Sequence, residues 1–114
     1  MQDADRLYEQ LRAPGVTEVQ FLVREMTFRL GDLTPAIRLR VYYVPTAELQ
    51  YRVESSHTIR TAAAGERTEA CCAAEDETAA LRGAVRAIVD QYDSAVRQGV
   101  MPNDGWLALN AAFA

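Results

Sequence analysis

A chain of 114 residues that is 49% hydrophobic and 25% charged, with 6 Gly and 4 Pro, can build one globular core and is too short for two. Its apolar content excludes the composition of disordered chains, and no apolar run approaches the ~20 residues that cross a bilayer. The net charge of −4 argues against nucleic-acid binding by bulk positive charge, and the polar, acidic start from Met1 to Arg6 is no signal sequence, so a cytoplasmic protein is expected.

The first predicted element is a short helix from Asp3 to Arg12. Asp3 can cap it, Leu7 and Leu11 lie one turn apart on one face with Tyr8 beside them, and Ala13-Pro14-Gly15 stops it. One narrow apolar stripe on so short a helix is marginal in water, so this element is expected to dock on the rest of the fold.

Two patterns compete between Val16 and Leu30. Val19, Phe21 and Val23 alternate, and Met26, Phe28 and Leu30 alternate on the opposite parity, which fits a strand with a bulge near Arg24-Glu25. A helix starting at Thr17, with Gln20 closing a capping box, would instead place Val19, Leu22, Val23 and Met26 on one face. The Val, Phe and Thr content favours the strand.

Asp32-Leu33-Thr34-Pro35 reads as a turn into a β-hairpin. Ile37, Leu39, Val41 and Tyr43 alternate with Arg38, Arg40, Tyr42 and Val44; after Pro45 to Glu48, Leu49, Tyr51 and Val53 alternate with Gln50, Arg52 and Glu54. The third strand is expected to continue through Thr58, Ile59 and Arg60, and Gly65-Glu66 to turn into a short fourth strand at Arg67 to Cys72.

From Glu75 to Gln98, Leu81, Val85, Ile88, Val89, Tyr92 and Val96 follow helical spacing, with Arg82, Arg86, Asp90, Asp93 and Arg97 on the solvent side. Glu75, Asp76 and Glu77 suit the positive end of that helix, Gly99 its close, and Gly83 inside it suggests close approach to a sheet. Residues 101–114 form an aromatic C-terminal segment after the turn cluster Met101 to Gly105. Trp106, Leu109 and Phe113 are expected to fold back on the core or onto a partner.

The order α-β-β-β-(β)-α predicts one α+β domain over residues 1–114. Its two layers are an antiparallel three- to four-stranded meander and, on the apolar sheet face, a short N-terminal and a long C-terminal helix. This order resembles that of double-stranded-RNA-binding domains, but Glu75, Asp76 and Glu77 stand where those domains carry basic residues, and architecture does not fix function.

All 12 basic residues are arginine, as GC-rich coding favours. Residues 24–60 hold six Arg against four acids, a balance of +2, while the remainder holds six against twelve, or −6. The basic centre falls on the polar sheet face, where Arg38, Arg40, Tyr42 and Arg52 form the candidate binding surface. Arginine beside tyrosine on an open sheet can stack bases and hold phosphate; a partner or dimer surface, or a solvated lattice of Arg and Glu, suits the same pattern.

The other constellations are weak. Ser55-Ser56-His57 sets a hydroxyl beside the single His, but strand neighbours alternate faces and no acid is placed to orient the ring. Adjacent Cys71 and Cys72 lack the second pair a zinc site needs, and are expected to be reduced and structural. The six glycines are scattered, with no phosphate-binding loop. No catalytic residue, metal or cofactor is assigned. The expectation is a non-enzymatic protein-interaction module, an adaptor or inhibitor acting as a homodimer. Trp106, Leu109 and Phe113 are its candidate interface. The alternatives are a single-stranded nucleic-acid binder and an acidic nucleic-acid mimic.

Overall fold

Alternating apolar residues can be buried on one sheet face only if a second layer covers it, and the long helix supplies that layer. The computed structural model describes residues 2–59 and 73–113. In chain order these form α1 (Gln2–Leu11), β1 (Phe21–Phe28), β2 (Ile37–Tyr43), β3 (Tyr51–Ser55), β4 (His57–Ile59), β5 (Ala73–Ala74), α2 (Glu77–Arg97) and β6 (Leu107–Leu109). Single 3-10 turns stand at Asp104–Trp106 and Ala111–Phe113. The fold is α+β in the expected order, with a four-stranded antiparallel sheet β1-β2-β3-β5 and a second pairing of β4 with β6. The strand expected over Arg67 to Cys72 lies outside the described residues; just after it, Ala73 and Ala74 pair with Arg52 and Tyr51.

The contested segment is a strand. Its register on β2 shifts between Leu22 and Arg24, leaving Val23 as the extra residue of a bulge one position before the expected place. The bulge reconciles the two parities: Phe21, Met26 and Phe28 all lie opposite inward residues of β2. On that face Ile37, Leu39, Val41, Tyr43, Tyr51 and Val53 are buried.

Strand β3 does not run on as one strand. It breaks at Ser56, after which β4 leaves the main sheet and pairs with β6, His57 opposite Leu109 and Ile59 opposite Leu107. Two hydrogen bonds hold the break to β2, Ser56 N–H donating to the Arg38 carbonyl at 2.8 Å and Arg38 N–H to Ser56 Oγ at 2.8 Å.

Helix α2 begins where its charges predict. The Asp76 carboxylate caps it by accepting from Ala79 N–H at 2.7 Å, and Gly99 closes it with φ +83. The side of α2 that meets the sheet differs from the expected stripe. Ile88 of that stripe is buried, but its buried companions are Ala80, Ala84 and Ala95, whereas Leu81, Val85, Val89 and Tyr92 pack only at the edge of the core. Small side chains let the helix lie close over β3 and β5, and Gly83, half-buried, is one position off that line.

The remaining helix, α1, forms but does not cover the sheet. Leu7 and Leu11 are 44% and 50% exposed, and the helix meets the body where Tyr43 Oη donates to the Asp5 carboxylate.

Between β1 and β2, Leu30 and Leu33 enter the core through a turn at Gly31, whose φ is +50. A Cβ there would stand 2.5 Å from Tyr92 Oη, and Tyr92 in turn meets the buried Trp106 ring edge-on at 5.6 Å. Gly31→Ala is therefore expected to lose about 2 kcal/mol or more of stability, part backbone strain and part collision. In a Tyr92→Phe background, which removes the colliding oxygen, the added loss should fall to about 1 kcal/mol. Urea unfolding of the four variants of this cycle measures both, and equal losses in the two backgrounds would refute the contact.

Candidate functional site

The sheet brings Arg38, Arg40, Tyr42 and Arg52 onto one face, as alternation requires: Tyr42 lies opposite Arg52, and Arg40 opposite Glu54 on one side and Glu25 on the other. That face is largely closed on itself. Glu25 accepts from Arg40 Nε at 2.9 Å and lies 3.7 Å from Arg38 Nε; Arg52 donates to Glu54 at 2.8 Å and to Gln20 Oε1 at 2.7 Å. The Arg52 guanidinium also stands 5.1 Å from the centre of the Tyr42 ring. Exposed ion pairs of this kind add little stability, but the two glutamates offset two of the three arginine charges on the face.

Arg40 is further covered by the C-terminal segment. Its guanidinium sits 4.1 Å from the centre of the Phe113 ring and donates to the Phe113 carbonyl at 2.9 Å, leaving the Arg40 side chain 22% exposed against 50% for Arg38. The segment reaches this position from the helix layer: Trp106 is buried against Tyr92, β6 runs along β4, and Asn110 donates its N–H to the Ser56 carbonyl at 2.7 Å and its Nδ2 to the Ser55 carbonyl at 3.0 Å. Of the three residues expected to fold back, Trp106 and Phe113 do so; Leu109 is 74% exposed and takes no part in the core.

Ser56 Oγ lies 2.8 Å from His57 Nδ1. The expectation that strand neighbours point apart fails here because Ser56 stands at the break between β3 and β4. The hydroxyl is buried and already accepts from Arg38 N–H, so this contact fastens the bend. Among the described residues, no three His, Cys, Asp or Glu side chains converge as metal ligands do.

An open groove lies on the other face. Between β1 and α2 runs a groove of about 690 Å³ with Met26, Leu81, Val85 and Val89 as its apolar lining. Arg24, Glu77, Arg82, Arg86 and Asp90 stand among its charged lining residues. Arg24 reaches across to Glu77 at 3.3 Å. Among the described residues no carboxylate forms a salt bridge with Arg82 or Arg86.

Sequence reasoning did not find this groove. Helical spacing alone points Leu81, Val85 and Val89 at the sheet along with Ile88; Ile88 is buried there, but Ala80 and Ala84, about 100° round the helix from Leu81 and Val85, take the place of the rest. The signal was present as width: two apolar lines side by side are more than one sheet contact buries.

At the sheet end nearest α1, Phe21, Tyr43 and Tyr51 form an aromatic row with ring centres 6.5 and 5.2 Å apart. The hydrogen bond to Asp5, with burial second, raises the Tyr43 phenol to about 12; burial chiefly raises Tyr51, with smaller contributions from Glu77, Asp5 and Asp76. Protein-family models, curated proteins and solved structures were compared with this chain, and none matches.

The Tyr43 pKa is raised on folding, so the folded state holds the proton more tightly than the unfolded chain. Its stabilisation is complete below pH ~10 and is lost as the pH climbs through about 12. The stability difference between the wild type and Tyr43→Phe should therefore be constant from pH 7 to 9 and shrink above 10. Urea unfolding across that range checks it, and a difference that grows with pH would contradict the Asp5 contact.

Proposed function

We propose that this chain is a small non-enzymatic protein-interaction module, homodimeric, whose docking surface is the groove between β1 and α2. The observation that carries this reading is that α2 turns its bulky line, Leu81, Val85 and Val89, to an open groove and its small line to the sheet. A helix that leaves its larger apolar side chains half-buried along an open groove beside a strand offers an apolar floor that a partner can finish covering. Charged residues around an apolar floor are the usual anatomy of such surfaces.

The outer sheet face supports the rival reading less. Arg38, Arg40 and Arg52 share that face with Glu25 and Glu54, and Phe113 covers Arg40. Nucleic-acid binding through Arg/Tyr stacking needs free guanidinium and ring faces, whereas Arg52 and Tyr42 face each other.

Two measurements test this proposal. In a dilution series followed by light scattering and by amide NMR, the wild type should move towards twice the single-chain mass at high micromolar concentration. Signals of Leu81, Val85 and Val89 should shift with it. Val85→Arg, at a half-buried groove position, should keep the monomer spectrum of the sheet and lose both effects. Shifts confined to the outer face, or a wild type that stays monomeric with an unresponsive groove, would overturn the proposal.

A labelled mixed-sequence oligonucleotide at low salt should show no saturation by about 100 µM protein, the weak end of non-specific binding. Tighter, steeply salt-dependent binding that Arg38→Glu abolishes would favour the rival.

A further inference from the structure

The groove lies over β1, and its width can be set against the packing geometry of a helix. α2 rests chiefly on β3 and β5, and β1 lies two strands from β3 in the sheet. Two strand spacings are about 9.6 Å, and packed helices stand about 8–10 Å apart. A second helix laid along β1 would therefore meet α2 at an ordinary interaxial distance and complete the upper layer. An added strand would pair at the edge of β1 and leave most of that space empty.

Among the described residues, one helix lacks a packed apolar face. α1 presents Leu7 and Leu11 to solvent at 44% and 50% exposure, and at ten residues it is too short to hold itself together well. Its length of about 15 Å suits the roughly 20 Å of α2 that lines the groove from Glu77 to Asp90. The charges match as well. Residues 2–11 hold Asp3, Asp5 and Glu9 against Arg6, a balance of −2. In the groove Arg24 and Glu77 satisfy each other, leaving Arg82 and Arg86 against Asp90, a balance of +1.

Resting on the groove reading above, we infer that two copies of this chain exchange α1, each inserting Leu7 and Leu11 into the β1–α2 groove of the other. The Tyr43–Asp5 hydrogen bond fixes α1 to its own body with its apolar face in solvent, so a copy across a two-fold axis can receive that face while the bond persists. Such an exchange is isologous and closes as a dimer.

A photocrosslinking residue, p-benzoylphenylalanine, placed at position 7 in an equal mixture of unlabelled and ¹⁵N-labelled full-length chains tests the exchange by mass spectrometry. The expected product joins position 7 of one isotope to a peptide from residues 77–90 of the other. Links confined to single chains would overturn the exchange, as would links to the outer sheet face.

Leu7→Glu/Leu11→Glu alters positions already exposed in the monomer, so the sheet should fold unchanged while the dimer dissociation constant rises at least ~10-fold. Arg86→Glu should weaken the dimer, and adding Glu9→Arg should restore part of the loss. If Val85→Arg abolishes association and the α1 double variant does not, the groove remains a docking surface but α1 is not its occupant. If neither variant affects association, both the groove reading and the exchange fall.

Discussion

The arrangement of this protein depends on the close seat of α2 on the sheet. Ala80 and Ala84, with Ile88 one turn further on, let the helix backbone approach the buried row Leu39, Val41, Val53. Seated there, α2 lies over β3 and β5, and its larger apolar side chains overhang the space beside β1. A helix about 10 Å across cannot cover a sheet of four strands. The uncovered width appears as the groove, lined by residues whose composition alone would suit a core.

The opposite face meets the same problem of exposure with charge and an aromatic lid. Glu25 and Glu54 offset most of the charge of the arginines that alternation turns outward, and the C-terminal segment carries Phe113 from the helix layer around β4 onto Arg40. Trp106 against Tyr92 and the Asn110 bonds to Ser55 and Ser56 hold that path. One face of the sheet is thus self-satisfied while the other is left with an unfilled apolar surface. This asymmetry favours the proposed protein docking surface over an electrostatic one, since Glu25 and Glu54 offset most of the positive charge that phosphate binding requires.

Local patterns carried far in reading this sequence. Alternation in residues 37–55 set the hairpin and its two faces, the parity switch near Arg24-Glu25 announced the bulge that falls at Val23, and Asp76 and Gly99 marked the ends of α2 to within a residue or two. These succeed because backbone geometry ties periodicity and caps to local conformation. The break at Ser56 was not legible. Thr58 and Ile59 continue a strand pattern, and only the arrival of β6 from fifty residues away draws β4 out of the main sheet.

By itself, then, the sequence determined α1, the first three strands and α2, their order and which residues of the strands alternate to which side, since these follow from 2.0 and 3.6 residue periods. It also supplied the charge asymmetry, +2 in the centre and −6 elsewhere. Tertiary structure alone decided what each side met. It chose Ala80 and Ala84 over Leu81 and Val85 as the seat of α2, paired the central arginines with Glu25 and Glu54, and left Leu7 and Leu11 uncovered. The physical reason is that periodicity fixes the direction of a side chain relative to its own backbone. The lateral offset between two packed layers depends on side-chain volumes summed over both, which no single segment contains.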